Sequence, residues 1–196
     1  MFFPAILVRS TYTRNVRYPD TVRFLATLKR RRPALSLPSR LDEYFERLAT
    51  CATPAAARPI EDAIWDAWMY HGHEEAEAAL DRTAGDIAAR RFDIAETRLA
   101  LILRSRPDWA EAWNKRATLY YLQGRDDESV AAIRRTLELE PRHFGALCGL
   151  GEILRGLDEK EAALLAFRRA LSLNPQLEGI TESVAELIIP AGSRSP

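Results

Sequence analysis

The chain of 196 residues has only two cysteines, Cys51 and Cys148, with no CxxC spacing. Neither a disulfide framework nor a zinc site is therefore expected, and both thiols read as small core residues. Three histidines and the lack of an HExxH, a nucleophile elbow or a glycine-rich phosphate loop remove the signatures of the common hydrolases and nucleotide enzymes. No apolar run approaches the roughly eighteen residues of a membrane span. Charge of one sign is not in excess either, since 28 basic and 28 acidic side chains cancel. The cancellation is uneven along the chain: residues 1–40 hold nine basic side chains and one acid, Asp20, for a net +8, which leaves −8 on the remainder. With 47% hydrophobic residues, the chain can bury one sizeable core.

What is present is a period. Pro107, Pro141 and Pro175 stand 34 residues apart. Counting a middle unit from Ala110 puts Trp113 at position 4, Ala117 at 8, Tyr120 at 11, Gly124 at 15, Ser129 at 20 and Ile133 at 24. The next unit, from Phe144, places Leu147, Gly151, Leu154, Ala163 and Phe167 at the matching positions, with Ala170 at 27. The preceding unit, from Ala76, supplies Ala95, Leu99 and Ile102 in its second half; its first half is weaker, with Ala79, Thr83 and Asp86 at 4, 8 and 11. These spacings put positions 4, 8 and 11 on one face of a first helix and 20, 24 and 27 on one face of a second. At the closest approach, positions 8 and 20, only small side chains fit: Ala117 faces Ser129, and Gly151 faces Ala163. Each proline ends a second helix, because the residue before it is driven out of the helical region.

Period and residue pattern together resemble the tetratricopeptide repeat, a helix-turn-helix unit of this length. The resemblance covers residues 76 to 177. It implies an all-α, right-handed solenoid of three helix pairs in residues 74–176, with helices near 75–89, 93–105, 109–122, 126–139, 143–155 and 159–172. Residues 177–190 carry Leu177, Ile180, Val184, Leu187 and Ile188 at helical intervals and read as a capping helix with Glu178, Glu182 and Glu186 outward. Residues 191–196 read as a disordered tail.

Before the repeats, Leu41, Tyr44, Phe45 and Leu48 mark an amphipathic helix. A loop through Thr53, Pro54 and Arg58 then leads to a helix opened by Pro59 with the apolar face Ile60, Ile64, Trp65 and Trp68. This divergent pair, residues 41–73, is expected to stack on the first repeat. His71 and His73 flank Gly72 at a helix-to-helix turn, where their spacing from Glu74, Glu75 and Glu77 suits a helix start better than a metal site. The basic segment 1–40 is expected to be poorly ordered. It resembles a mitochondrial or plastid presequence cleaved before Leu41; a bland flexible extension and a nucleic-acid patch at Lys29, Arg30, Arg31 and Arg32 are its other readings.

With no catalytic constellation, function is expected to lie on the surface: a non-enzymatic scaffold for a protein or peptide, with no cofactor, metal or small-molecule substrate. In tetratricopeptide proteins the first helices line a concave groove, and the resemblance implies that Glu77, Leu80, Ala84 and Ile87, then Glu111, Asn114, Lys115, Thr118 and Tyr121, then Gly145, Cys148, Glu152 and Arg155 face it; the other reading is that some of them pack against the chain's own N-terminal helices. The family's clamp for chaperone carboxylate tails would need cations and asparagines where Leu80, Ala84, Lys115, Gly145 and Gly149 stand, so that mode is absent. The strings 110–122 and 141–147 resemble those of bacterial and organellar members, and the junction of Trp113, Asn114, Lys115 and Arg116 with His143 and Phe144 is expected to be the hot spot. The alternative function is an RNA-associated organellar factor using the basic N-terminus, although the net −8 of the remainder disfavours phosphate binding. If the first segment is no presequence, a cytoplasmic location is expected.

Overall fold

The computed structural model describes residues 19–188, so residues 1–18 of the basic segment and the tail 191–196 lie outside the described residues. The described residues form ten α-helices and no strand. They are α1 Pro19–Thr27, α2 Arg40–Ala49, α3 Pro54–Met69, α4 Glu74–Ala88, α5 Phe92–Ser105, α6 Ala110–Leu122, α7 Asp126–Leu139, α8 Phe144–Gly156, α9 Lys160–Leu173 and α10 Ile180–Ile188; a 3₁₀ turn, Leu28–Arg30, extends α1.

Helices α4/α5, α6/α7 and α8/α9 are three hairpins of a solenoid, and their turns repeat in atomic detail. Position 15 of each unit, Arg90, Gly124 and Asp158, takes a left-handed conformation with φ of 58°, 77° and 60°. The following residue then donates its N–H five residues back, from Arg91 to Asp86, Arg125 to Tyr120 and Glu159 to Leu154, at 2.8, 2.9 and 2.9 Å. This is the Schellman closure of a helix C-terminus. Inside the hairpins the close approach is real. Ser129 Oγ donates to the Ala117 carbonyl at 2.9 Å. A Cβ on Gly151 would lie 2.4 Å from the Phe167 ring, so it is Phe167, rather than Ala163, that most directly requires the glycine. Asp86 fills an apolar register position and is buried; Arg91 and Arg98 reach it at 2.7 and 3.0 Å, which is how the first repeat tolerates it.

The N-terminal helices do not stack on the first repeat alone. Helix α3 touches α4 and α6, while α1 and α2 pack on α9 of the third repeat. Near the third repeat, Gln176 Nε2 donates to the Cys51 carbonyl at 3.0 Å and Asn174 Nδ2 to Glu61 at 2.7 Å. Midway, Phe45, Trp65 and Trp68 pack on Phe144 with ring centroids 6.3, 5.6 and 5.0 Å away. At the far end Trp109 Nε1 donates to the Trp68 carbonyl at 2.9 Å. An aromatic pair three residues apart on α3 needs a broad apolar floor, and the heads of two adjacent repeats supply it where the edge of one does not.

Three boundaries also differ from expectation. Helix α3 begins at Pro54, with the Thr53 hydroxyl accepting from the Ala56 N–H, so Pro59 lies inside the helix instead of opening it. Residues 19–30 are helical, and Phe24, Leu25 and Leu28 belong to the core. The final helix starts at Ile180, after a turn through Gly179 at φ 76°. It packs on α9, with Glu178, Glu182 and Glu186 exposed.

Candidate partner-binding groove

The first helices α4, α6 and α8 line one face of the solenoid, and α3 lies over their N-terminal ends. Trp65 is the wedge. A Cβ on Gly145 would meet its ring at 2.6 Å, and Lys115 Nζ sits 5.7 Å from the ring centroid. Trp68 stacks flat on the His143 ring, 3.9 Å away and 9° from parallel.

Beneath this lid lies a buried polar network. Glu111 and His143 are both fully buried, with His143 Nε2 2.8 Å from the Glu111 carboxylate. His143 Nδ1 accepts the Ala146 N–H at 3.1 Å and so caps α8, which leaves Nε2 as the protonated nitrogen. Asn114 Nδ2 donates to Glu111 at 3.1 Å, and Lys115 reaches it from the next turn. Burial pushes the Glu111 carboxyl up, but the Lys115 charge and the His143 hydrogen bond outweigh it and hold the group down to about 2. The network is a structural lock joining α6 to α8, with every charged member committed inside the fold.

The thirteen groove positions therefore divide. Leu80 and Ile87 are buried in a second apolar cluster with Leu99, Ile102, Trp109 and Leu119. Glu111 and Asn114 belong to the lock; Lys115, with 13% of its side chain exposed, lies under Trp65. Gly145 is covered by the same ring. His143 and Phe144 have no exposed surface, so the expected hot spot at the repeat junction is covered by the chain's own α3. Glu77 accepts the N–H groups of His71 and His73 at 2.9 and 3.0 Å, holding the turn at Gly72 and lowering its own pKa. It lines a shallow depression of about 320 Å³ shared with Arg40, Asp66, Tyr70 and Asp81. Cys148 is buried beside Glu152, and burial pushes its thiol up to about 12, so it is no nucleophile.

What α3 leaves uncovered is the C-terminal half of the face: Ala84, Thr118, Tyr121, Glu152 and Arg155, all half-buried or exposed. Arg155 is paired with Glu152 at 2.6 Å and lies 3.9 Å from Glu186 of α10, so the capping helix forms one wall. That some groove positions pack against the chain's own N-terminal helices is one of the two readings the sequence offers, and the two tryptophans of α3 show which positions these are.

Tetratricopeptide-repeat models match residues 110–143 and 127–178. A TPR repeat-containing protein of Rhizobium etli is 32% identical over 159 residues, spanning 81% of this chain and 78% of the relative. The chain belongs to the tetratricopeptide-repeat family. Among solved structures, the first TPR domain of Spaghetti (RPAP3), bound to the HSP90 peptide SRMEEVD, aligns with a TM-score of 0.55 at 16% identity, covering 58% of this chain and 90% of that one. That likeness is one of fold. In this tetratricopeptide domain Leu80 and Gly149 are buried and Gly145 lies under Trp65, so no carboxylate clamp can form at those positions. Among the described residues, no group of three His, Cys, Asp or Glu side chains could hold a metal ion, and no helix is long and apolar enough to cross a membrane.

Proposed function

We propose that this tetratricopeptide domain is a non-enzymatic scaffold that holds a protein or peptide segment along the open half of its concave face. The observation that carries the reading is the division of that face: α3 seals the heads of α6 and α8, while Tyr121, Thr118, Glu152 and Arg155 stay accessible between α6, α8 and α10. An aromatic ring beside an acid and a guanidinium suits a short segment held by a few anchors. Paired affinity purifications of the wild type and of Tyr121→Ala with Arg155→Glu test it. Partners are lost from the double variant at an unchanged helical content; an identical partner set refutes the site.

Import into a mitochondrion or plastid belongs to the same proposal and rests on the composition of residues 1–18, which hold Arg9, Arg14 and Arg17 and no acid. Because Phe24, Leu25 and Leu28 are core residues, processing that preserves the fold falls before Pro19, not as late as Leu41. Peptide mass mapping of the mature protein decides it: a first residue at or before Pro19 but after Met1 agrees, and retention of Met1 contradicts it.

A further inference from the structure

We propose that the cationic strip Lys29–Arg32, with the turn that follows it, docks on an anionic membrane surface. Four consecutive cations, Lys29, Arg30, Arg31 and Arg32, are all exposed. Among the described residues none of them enters an ion pair. Two acids on the elements around them, Asp20 and Glu138, are paired elsewhere, with Arg23 and Arg135. Phe24 organises the strip from below: Arg31 lies 5.6 Å and Arg134 of α7 4.6 Å from its centroid, so a fifth cation is brought alongside.

Three residues beyond the cations, Leu35 is fully exposed. It is held that way. Leu37 N–H closes a turn on the Ala34 carbonyl at 3.1 Å, Ala34 N–H is pinned to the Leu139 carbonyl at 2.7 Å, and Ser36 Oγ donates to the Asp108 carbonyl at 3.3 Å. An aliphatic side chain fixed outward at the tip of an anchored turn, next to a run of exposed cations, is the pairing that an acidic lipid headgroup layer rewards: attraction for the charges and a shallow apolar site for the leucine. Val22, 44% exposed on α1, adds to the apolar side. The same surface offers little to nucleic acid beyond charge, because its aromatic ring, Phe24, is buried and cannot stack on bases. The net −8 carried by residues 41–196 favours an orientation in which this strip alone faces the bilayer.

The test uses the full chain with phosphatidylcholine vesicles, with and without phosphatidylglycerol, and with a single-stranded oligouridine. Cosedimentation is expected only with the anionic vesicles, weakening as salt is added. Lys29→Glu, Arg30→Glu and Arg32→Glu together should weaken it on the order of a hundredfold, and Leu35→Ser several-fold. Thermal melts should match the wild type, since none of these side chains is buried. Equal binding to both vesicle types, indifference to the triple variant or to Leu35→Ser, or capture of oligouridine without vesicle binding would each overturn the proposal.

Discussion

Glu111 stays ionised without touching water because three donors surround it: the Lys115 ammonium, the His143 Nε2–H and the Asn114 amide. Its folded pKa, about 2, lies below the ordinary 4.5. The stabilisation from this group is therefore complete above roughly pH 4.5 and is lost as pH falls towards 2. Glu111→Gln should lower stability at neutral pH by about 3 kcal/mol, since it strands Lys115 beneath Trp65. It should also flatten the decline in melting temperature between about pH 5 and 3; parallel wild-type and variant curves would contradict the assignment. A second test at this scale is Gly145→Ala, whose added carbon would fall 2.6 Å from the Trp65 ring. Overpacking there should cost about 1–3 kcal/mol in a denaturant titration, and no loss would mean that Trp65 is not seated on α8.

Among the elements, the three hairpin turns show how one geometry is reached with different residues. Gly124 adopts positive φ without strain, whereas Arg90 and Asp158 adopt it against the repulsion of a Cβ. Arg90→Gly should therefore stabilise the fold by about 0.5–1 kcal/mol, read as a higher urea midpoint; destabilisation would show that the cation–π contact with Phe92 outweighs the strain. The repeat helices were legible because period, small-residue sites and prolines agree at a fixed spacing. Helix α1 was not. Its four core-facing positions, Thr21, Phe24, Leu25 and Leu28, lie in a segment whose arginines dominate any compositional reading, and tertiary contact with α9 supplies what composition conceals. Pro59 misled in a similar way, because a proline is a good sign of a helix start and a poor one of a position on a helix already capped by Thr53 and Pro54. Deleting residues 1–40 should accordingly cost about 4 kcal/mol or more through the lost burial of Phe24, Leu25 and Leu28, while deleting 1–18 should leave the melting temperature near that of the full chain. Equal melting temperatures for the two truncations would refute the core assignment of α1.

For the molecule as a whole, a solenoid face that would otherwise be continuous is divided by its own third helix. Which first-helix positions share a face was readable, because register fixes it. Which of those positions stay open was not readable, since that depends on where a segment more than forty residues upstream of α6 comes to rest. On the proposed function, the partner's footprint would be shorter than three repeats and displaced towards α10. The most direct measurement places a photo-crosslinking amino acid at Thr118 or Arg155 in the open half, and at Arg168 on the exposed side of α9, in living cells. Covalent adducts to a protein partner from the first two positions and none from the third are the predicted result; adducts from Arg168 alone would contradict the account.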